Sequence, residues 1–140
     1  EVEAELRAYR SLYQDEDHAE VLGAMRRTAL GLLDLLADFR PWLTGSVLDG
    51  TAGQHSRIDI LLFADSAKEV EIFLLNRGLS FEHAEVRNER VEAVLVLETD
   101  TADANLIIMP PALERVAFKH RDGRPRERIR SAALRALIDD

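Results

Sequence analysis

The chain has 140 residues and a formal net charge of −8, and 46% of its residues are hydrophobic and 31% charged. These values are typical of one globular domain with a sizeable core, and the acidic balance argues against a nucleic-acid partner unless a local basic patch supplies one. The lack of cysteine excludes disulfides and thiolate metal sites. No apolar run approaches the roughly 20 residues of a membrane helix and no signal peptide is recognisable, so we expect a cytoplasmic protein with no membrane partner.

The N-terminal part, residues 1–40, is expected to be helical. Helical spacing predicts a short first helix, with its apolar residues at Val2, Leu6, Tyr9 and Tyr13. The acidic run 15–17 is typical of a helix start and predicts a second helix, which Pro41 ends. That helix presents one broad apolar face, made of Val21, Leu22, Met25, Ala29, Leu32, Leu33, Leu36 and Phe39.

The central part, residues 42–109, alternates strands with loops and one helix. We predict strands at 42–47, 58–63, 79–87, 91–98 and 104–109, and a helix from about residue 65 to residue 77 before Gly78. Residues 111–140 are assigned to C-terminal helices: one or two turns within 112–118, then a last helix with Ile129, Ala133, Leu134, Leu137 and Ile138 facing inward. The sequence therefore predicts a single α+β domain, 1–140, with a mixed sheet flanked by helices.

Small residues and one acid follow the first strand at a regular spacing. Gly45-Ser46 is followed after three residues by Gly50, and Ser56-Arg57-Ile58-Asp59 opens the second strand. This pattern resembles the nucleotidyltransferase fold superfamily, which is DNA polymerase beta-like and includes small bacterial proteins. Its usual motif is Gly-Ser, three residues, Gly, a variable loop and Ser-Asp-hydrophobic-Asp. Arg57 holds the place of the first Asp, so the acidic motif is degenerate.

The resemblance, which covers about residues 42–109, implies a nucleotide or other phosphate ligand and transfer of a nucleotidyl group from a nucleoside triphosphate to an acceptor hydroxyl. The phosphate-binding residues it implies are Gly45, Ser46, Gly50, Ser56 and Arg57. Mg²⁺ is the implied cofactor. Asp59 is then the catalytic residue and first metal ligand, with Asp103 and Asn105 as weaker ligands. Arg57 cannot ligate a metal, because a guanidinium has no acceptor atom.

Three interpretations stay open at the level of the sequence. The domain is an active nucleotidyltransferase, a catalytically inactive domain of the same fold that serves as a binding or homo-oligomeric assembly module, or an unrelated α+β scaffold. Asp59 is correspondingly a residual ligand or a strand carboxylate paired with Arg57. The first and second interpretations both require Arg57, Asp59 and Asn105 to converge on one cleft facing Gly45-Ser46.

Basic residues concentrate near the C-terminus, at Lys119, His120, Arg121, Arg124, Arg126, Arg128 and Arg130. We interpret this cluster as a solvated helix face paired with the acidic N-terminal helices; the alternative is a site for a phosphate, a nucleotide tail or RNA. No aromatic residue interleaves, so bases would have no stacking platform. His55, beside Ser56, is the one histidine placed to meet a ligand, or else a solvated loop residue.

Overall fold

The computed structural model describes the backbone of residues 2–139 and the side chains of residues 17–139. As expected, it is a mixed α+β structure. The α-helices are α1 (Val2–Leu35), α2 (Ser46–Asp49), α3 (Ala67–Asn76) and α4 (Ser131–Asp139). The strands are β1 (Trp42–Thr44), β2 (Ile58–Phe63), β3 (Phe81–Ala84), β4 (Ala93–Leu97), β5 (Ala104–Met109) and β6 (Arg128–Ile129). Short 3-10 helices occupy Ala37–Phe39 and Pro111–Arg115.

The six strands form one sheet in the order β3-β4-β5-β2-β1-β6. The central pair, β2 and β5, is parallel, and the other neighbours are antiparallel. In this register Asp59 lies opposite Thr44 on one side and Asn105 on the other. Because paired residues of neighbouring strands point to the same face, these three side chains form a row across the sheet.

The two faces of the sheet have different roles. On the core face, which carries Ile58, Ile60 and Leu62, these side chains are fully buried. They join one hydrophobic core with buried side chains of α1, α3 and α4, among them Met25, Leu33, Val70, Leu74 and Leu134, and with Leu36, which follows α1. The opposite face, which carries Asp59 and Leu61 and which we call the groove face, is only half-buried along β2. The candidate site lies on the groove face.

The N-terminal part differs from the sequence prediction. One continuous helix, α1, runs through the acidic segment 15–17 where a second helix start was expected. A second helix start would require a capping residue whose backbone leaves the helical conformation. Residues 2–22 contain neither glycine nor proline, so no residue there interrupts the helix. The predicted apolar face of the first helix, at Val2, Leu6, Tyr9 and Tyr13, lies outside the described side chains. None of the helices among residues 2–139 combines the length and apolar character needed to cross a bilayer.

The strands β2 and β5 have the predicted bounds, whereas the others are shorter. β1 ends at Thr44, and Val47 belongs to α2, because Gly45 turns the chain out of the strand. Val47 and Leu48 are apolar because they are buried on the inner side of this helical turn. β3 and β4 span Phe81–Ala84 and Ala93–Leu97, so the connection between them is longer than predicted.

The C-terminal part has the predicted helical segments, Pro111–Arg115 and α4, but a turn and a strand that we did not predict lie between them. Arg128–Ile129 forms the edge strand β6, paired with β1, and residues 119–125 form a turn closed by a bridge between Lys119 and Pro125. The basic cluster is therefore carried by a turn and a strand rather than by a helix face. In α4, Leu134 is buried as predicted, but Ala133 and Leu137 are exposed.

Candidate functional site

The connection from β1 to β2 begins with a sharp turn at Gly45. Its backbone has φ 79° and ψ −157°, a conformation that is available essentially to glycine alone. The one-turn helix α2 follows and ends at Gly50, whose φ is 91°. Arg26 of α1 fixes this turn, since its Nε donates to the Val47 carbonyl at 2.9 Å and its Nη2 to the Leu48 carbonyl at 2.8 Å. These bonds satisfy two carbonyls near the C-terminal end of α2.

A close contact joins Gly45 to Asp59. A Cβ atom at position 45 would lie 2.6 Å from Asp59 Oδ2, well inside van der Waals contact. Asp59 therefore points toward the Gly45-Ser46 turn, and glycine is required at position 45 both for its backbone conformation and for this approach.

Arg57, Asn105 and Asp59 are linked by hydrogen bonds. Arg57 Nη1 donates to Asn105 Oδ1 at 3.2 Å, and Asn105 Nδ2 donates to Asp59 Oδ1 at 3.0 Å. The amide of Asn105 thus connects the guanidinium to the carboxylate, so these two groups do not need a direct ion pair. The structure links the three residues and places Asp59 against Gly45, but of the three only Asp59 lines the groove on this face. The convergence on one cleft that both nucleotidyltransferase-like interpretations require is therefore seen for Asp59 alone.

The carboxylate of Asp59 is held where water has limited access. Burial raises the pKa of Asp59, although the hydrogen bond from Asn105 and the charge of Arg57 act in the opposite direction. Because the net change in the pKa of Asp59 is upward, Asn105 and Arg57 only partly replace the hydration that the carboxylate loses on burial. Asp59 is thus an incompletely compensated charge at the edge of an open groove.

These residues do not fit the two-metal arrangement that the resemblance implies. Asn105 Oδ1 accepts from Arg57, and Asn105 presents its NH₂ group to Asp59, so the amide faces the carboxylate with a donor rather than with a metal-binding oxygen. The permanent charge of Arg57 would also repel a cation. Within residues 17–139 no three His, Asp or Glu side chains are grouped closely enough to hold a metal ion.

The other predicted site residues occupy different positions. Ser46 is the first residue of α2 and is partly exposed. Ser56 Oγ accepts from the Gly53 amide at 2.9 Å and so closes the glycine loop from within. Gly50 is joined to α1 by a hydrogen bond between its carbonyl and His18 Nε2 at 2.9 Å.

Two further predicted residues lie at the edges of this region. Asp103 precedes β5, and its carbonyl accepts from the Ile58 amide at 3.0 Å. This bond positions its backbone and assigns no role to its carboxylate. His55 is exposed in the loop.

A groove of about 1020 Å³ runs along the groove face and begins at Gly45 and Asp59. Its floor is the sheet, through the partly or fully buried apolar residues Leu61, Val94, Ile107 and Met109. The connection between β3 and β4 forms one wall, and the C-terminal segment (residues 115–128) forms the other. This volume is in the range of small-molecule sites.

Charge is distributed unevenly around the groove. Four arginines of the C-terminal segment line the groove, namely Arg115, Arg124, Arg126 and Arg128. Glu127 is the one acidic residue among the groove-lining residues of that wall. Asp49 and Asp59 lie near the glycine turn, and the strand register places Asp59 in one row with Thr44 and Arg128. The groove therefore offers guanidinium donors on one wall, carboxylate acceptors at one end and an apolar floor between them.

Sequence reasoning found the acidic end of the groove but missed its basic wall. The sequence does contain an indication of this wall, because the basic cluster near the C-terminus has a phosphate site as its alternative interpretation. The position of the C-terminal segment over the sheet depends on β6 pairing with β1, a contact between residues more than eighty positions apart in the chain. The strand β6 consists only of Arg128 and Ile129, and two residues are too few to show the alternation of apolar and polar side chains from which a strand is predicted.

Comparison with models of protein families gives no match to this chain, and comparison with curated proteins gives none either.

Proposed function

We propose that this domain binds a nucleotide, or a related phosphate compound with free hydroxyl groups, in the groove and does so without Mg²⁺. On this proposal it is a nucleotidyltransferase-like binding module whose metal-binding acids have been replaced. The observation that carries the proposal is the Arg57–Asn105–Asp59 chain, which occupies the place where the resemblance requires metal ligands. Its members satisfy one another's hydrogen bonds and leave no matched set of acidic ligands.

The distribution of charge supports a ligand of this class. Guanidinium groups donate paired hydrogen bonds to phosphate oxygens, and the wall formed by the C-terminal segment supplies several of them. The carboxylate of Asp59, near the glycine turn, can accept from a hydroxyl or amino group. The apolar floor provides area for a flat or aliphatic part of the ligand. A metal is not needed to neutralise the phosphates if the arginines do so.

Calorimetric titration with ATP, GTP, CTP and UTP, each in Mg²⁺ and in EDTA, tests the proposal. We expect at least one nucleotide to bind with an affinity that does not depend on Mg²⁺. Arg126 is exposed, lines the groove and makes no ion pair among the described residues, so Arg126→Gln should weaken binding about tenfold without affecting the fold. Arg77→Gln is the matched control, because Arg77 follows α3 on the core-face side.

Two results would contradict the proposal. One is the absence of heat with every nucleotide in both buffers. The other is binding that appears only with Mg²⁺, since this would show that the acids retained by the chain still form a metal site.

The second candidate is nucleotidyl transfer to an acceptor hydroxyl, and the raised pKa of Asp59 favours it. A desolvated carboxylate in a groove can take a proton from a hydroxyl group more readily than a solvated one. Transfer of labelled nucleotide to an acceptor, abolished in Asp59→Asn, would establish this candidate in place of simple binding.

A further inference from the structure

A second cavity, separate from Asp59 and Gly45, lies beside the N-terminal end of β1. It has a volume of about 600 Å³ and is lined by Arg40, Trp42, Glu114, Arg115, Arg128 and Arg130. Four of these six side chains are arginines and one is a glutamate, so the lining carries a formal charge of +3. This is a high local charge in a chain whose net charge is −8.

Trp42 and Glu114 hold the guanidinium groups in place. The guanidinium carbons of Arg128 and Arg130 each lie 4.3 Å from the centroid of the indole ring, within the range of cation–π contacts. Glu114 accepts from Trp42 Nε1 at 3.0 Å, from Arg40 at 3.1 Å and from Arg130 at 3.2 Å. The cavity is therefore a built arrangement of planar donors rather than a group of freely rotating surface charges.

The arrangement has more donors than acceptors. Arg128 Nη2 donates to the Glu114 carbonyl, whereas Arg128 Nη1 is buried and has no hydrogen-bond acceptor among the described residues. Arg115 makes no ion pair within the same part of the chain. A buried donor without an acceptor is costly and calls for an explanation such as a bound ion or water.

The backbone at Arg40 adds a separate observation. Arg40 has φ 51°, the one positive value at a non-glycine residue in the described chain. A residue that precedes proline normally adopts an extended conformation, so this geometry is doubly unfavourable. Arg40 ends the 3-10 helix Ala37–Phe39, and its side chain contacts Glu114 and lines the cavity. Local strain of this kind concentrates at ligand sites.

We propose that this cavity binds the phosphate groups of a small polyanion, for which inorganic pyrophosphate is the simplest probe. Phosphate oxygens match the planar guanidinium donors, and a multiply charged anion balances the excess charge that Glu114 leaves. Arg115 and Arg128 line both this cavity and the groove, whereas Arg40, Trp42, Glu114 and Arg130 line the cavity and not the groove. The inference is therefore tested at these four residues, apart from nucleotide binding in the groove.

Trp42 is the only tryptophan of the chain and lines this cavity but not the groove, so its fluorescence reports on the cavity. We expect pyrophosphate to change the emission saturably at constant ionic strength, with a matching calorimetric isotherm. Arg130→Gln and Arg40→Gln, which change residues that line the cavity and not the groove, should each weaken binding about tenfold, the loss of one charge-assisted hydrogen bond. Both residues are exposed, so these variants should fold. Arg77→Gln removes the same charge elsewhere and should bind as the wild type does.

The inference is overturned if pyrophosphate gives neither a saturable emission change nor heat. It is also overturned if Arg130→Gln and Arg40→Gln bind pyrophosphate as tightly as Arg77→Gln does, since the binding would then arise outside the cavity. In either case nucleotide binding that depends on Arg126 would stand, because the two sites are tested with different variants.

Discussion

The two faces of the sheet are built from alternate residues of the same strands and differ sharply in chemistry. Along β2, Ile58, Ile60 and Leu62 are fully buried against helices, whereas Asp59 and Leu61 face the groove. On the core face, aliphatic side chains supply the burial that stabilises the fold. On the groove face, polar and charged side chains are held in fixed positions by that same backbone. Stability and recognition can thus be altered separately by substitutions one residue apart.

The largest expected effect comes from the core face. Ile60→Ala should lower the free energy of unfolding by about 2–5 kcal/mol, because Ile60 is fully buried and its loss leaves a cavity. Leu61→Ala, the neighbouring change on the groove face, should cost only about 1 kcal/mol. Denaturant unfolding of both variants measures the difference, and equal costs would contradict the division between the faces.

Gly45→Ala should be the most harmful small change on the groove face. The positive φ and the contact with Asp59 together should cost about 1–3 kcal/mol. Gly53→Ala is the control, because a Cβ at position 53 meets no atom within 4 Å. In an Asp59→Ala background the cost of Gly45→Ala should fall, since only the backbone strain remains. A cost that is unchanged in that background would show that the two side chains do not touch.

Glu114→Gln should destabilise the protein by about 1 kcal/mol at neutral pH. Burial opposes ionisation of Glu114, but the hydrogen bonds from Trp42 and Arg40 and the charges of Arg40 and Arg130 prevail and lower its pKa. Because the pKa of Glu114 is lower in the folded than in the unfolded protein, its carboxylate stabilises the fold at pH values above the usual pKa of 4.5. This contribution is lost as the pH falls below 4.5 and through the lowered pKa. The difference between variant and wild type should therefore shrink in acid; a difference that grows there would refute the assignment.

Asp59→Asn should have the smallest effect and the opposite sign. Burial raises the pKa of Asp59, so the ionised carboxylate destabilises the folded state at neutral pH. This penalty is relieved as the pH falls through the raised pKa toward the usual value of 3.8. The variant should accordingly be more stable than the wild type at pH 7 and equal to it in acid. Thermal unfolding across this range decides the matter, and a less stable variant at pH 7 would contradict the argument.

The sequence predicted the central strands and the glycine turn because their signals are local. Ile58–Phe63 and Ala104–Met109 are apolar runs bounded by polar residues, and both have the predicted bounds. Gly45 was identified from its spacing to Gly50 and Asp59, and the structure brings Gly45 and Asp59 into contact. In the parallel register of β2 and β5, Asp59 and Asn105 lie side by side and Arg57 contacts Asn105, but of these three residues only Asp59 lines the groove with Gly45.

The errors fall where tertiary contacts override local signals. Acidic residues 15–17 are typical of a helix start, but a helix that is already formed passes through them. Val47 and Leu48 continue the apolar run of β1, yet the turn at Gly45 places them in α2. The sequence predicts Arg128 and Arg130 on a solvated helix face. In the structure, β6 pairs with β1 and both arginines contact Trp42, which places them on the groove face. No local pattern encodes these long-range contacts.

The most direct test of the central claim is calorimetric titration of Mg²⁺ into the wild-type protein and into Arg57→Asp. The claim is that Arg57, through Asn105, replaces the metal at the acid of β2. We expect no saturable Mg²⁺ binding by the wild type and measurable binding by Arg57→Asp, which places two carboxylates on one face of the strand. Saturable Mg²⁺ binding by the wild type that is lost in Asp59→Asn would contradict the account.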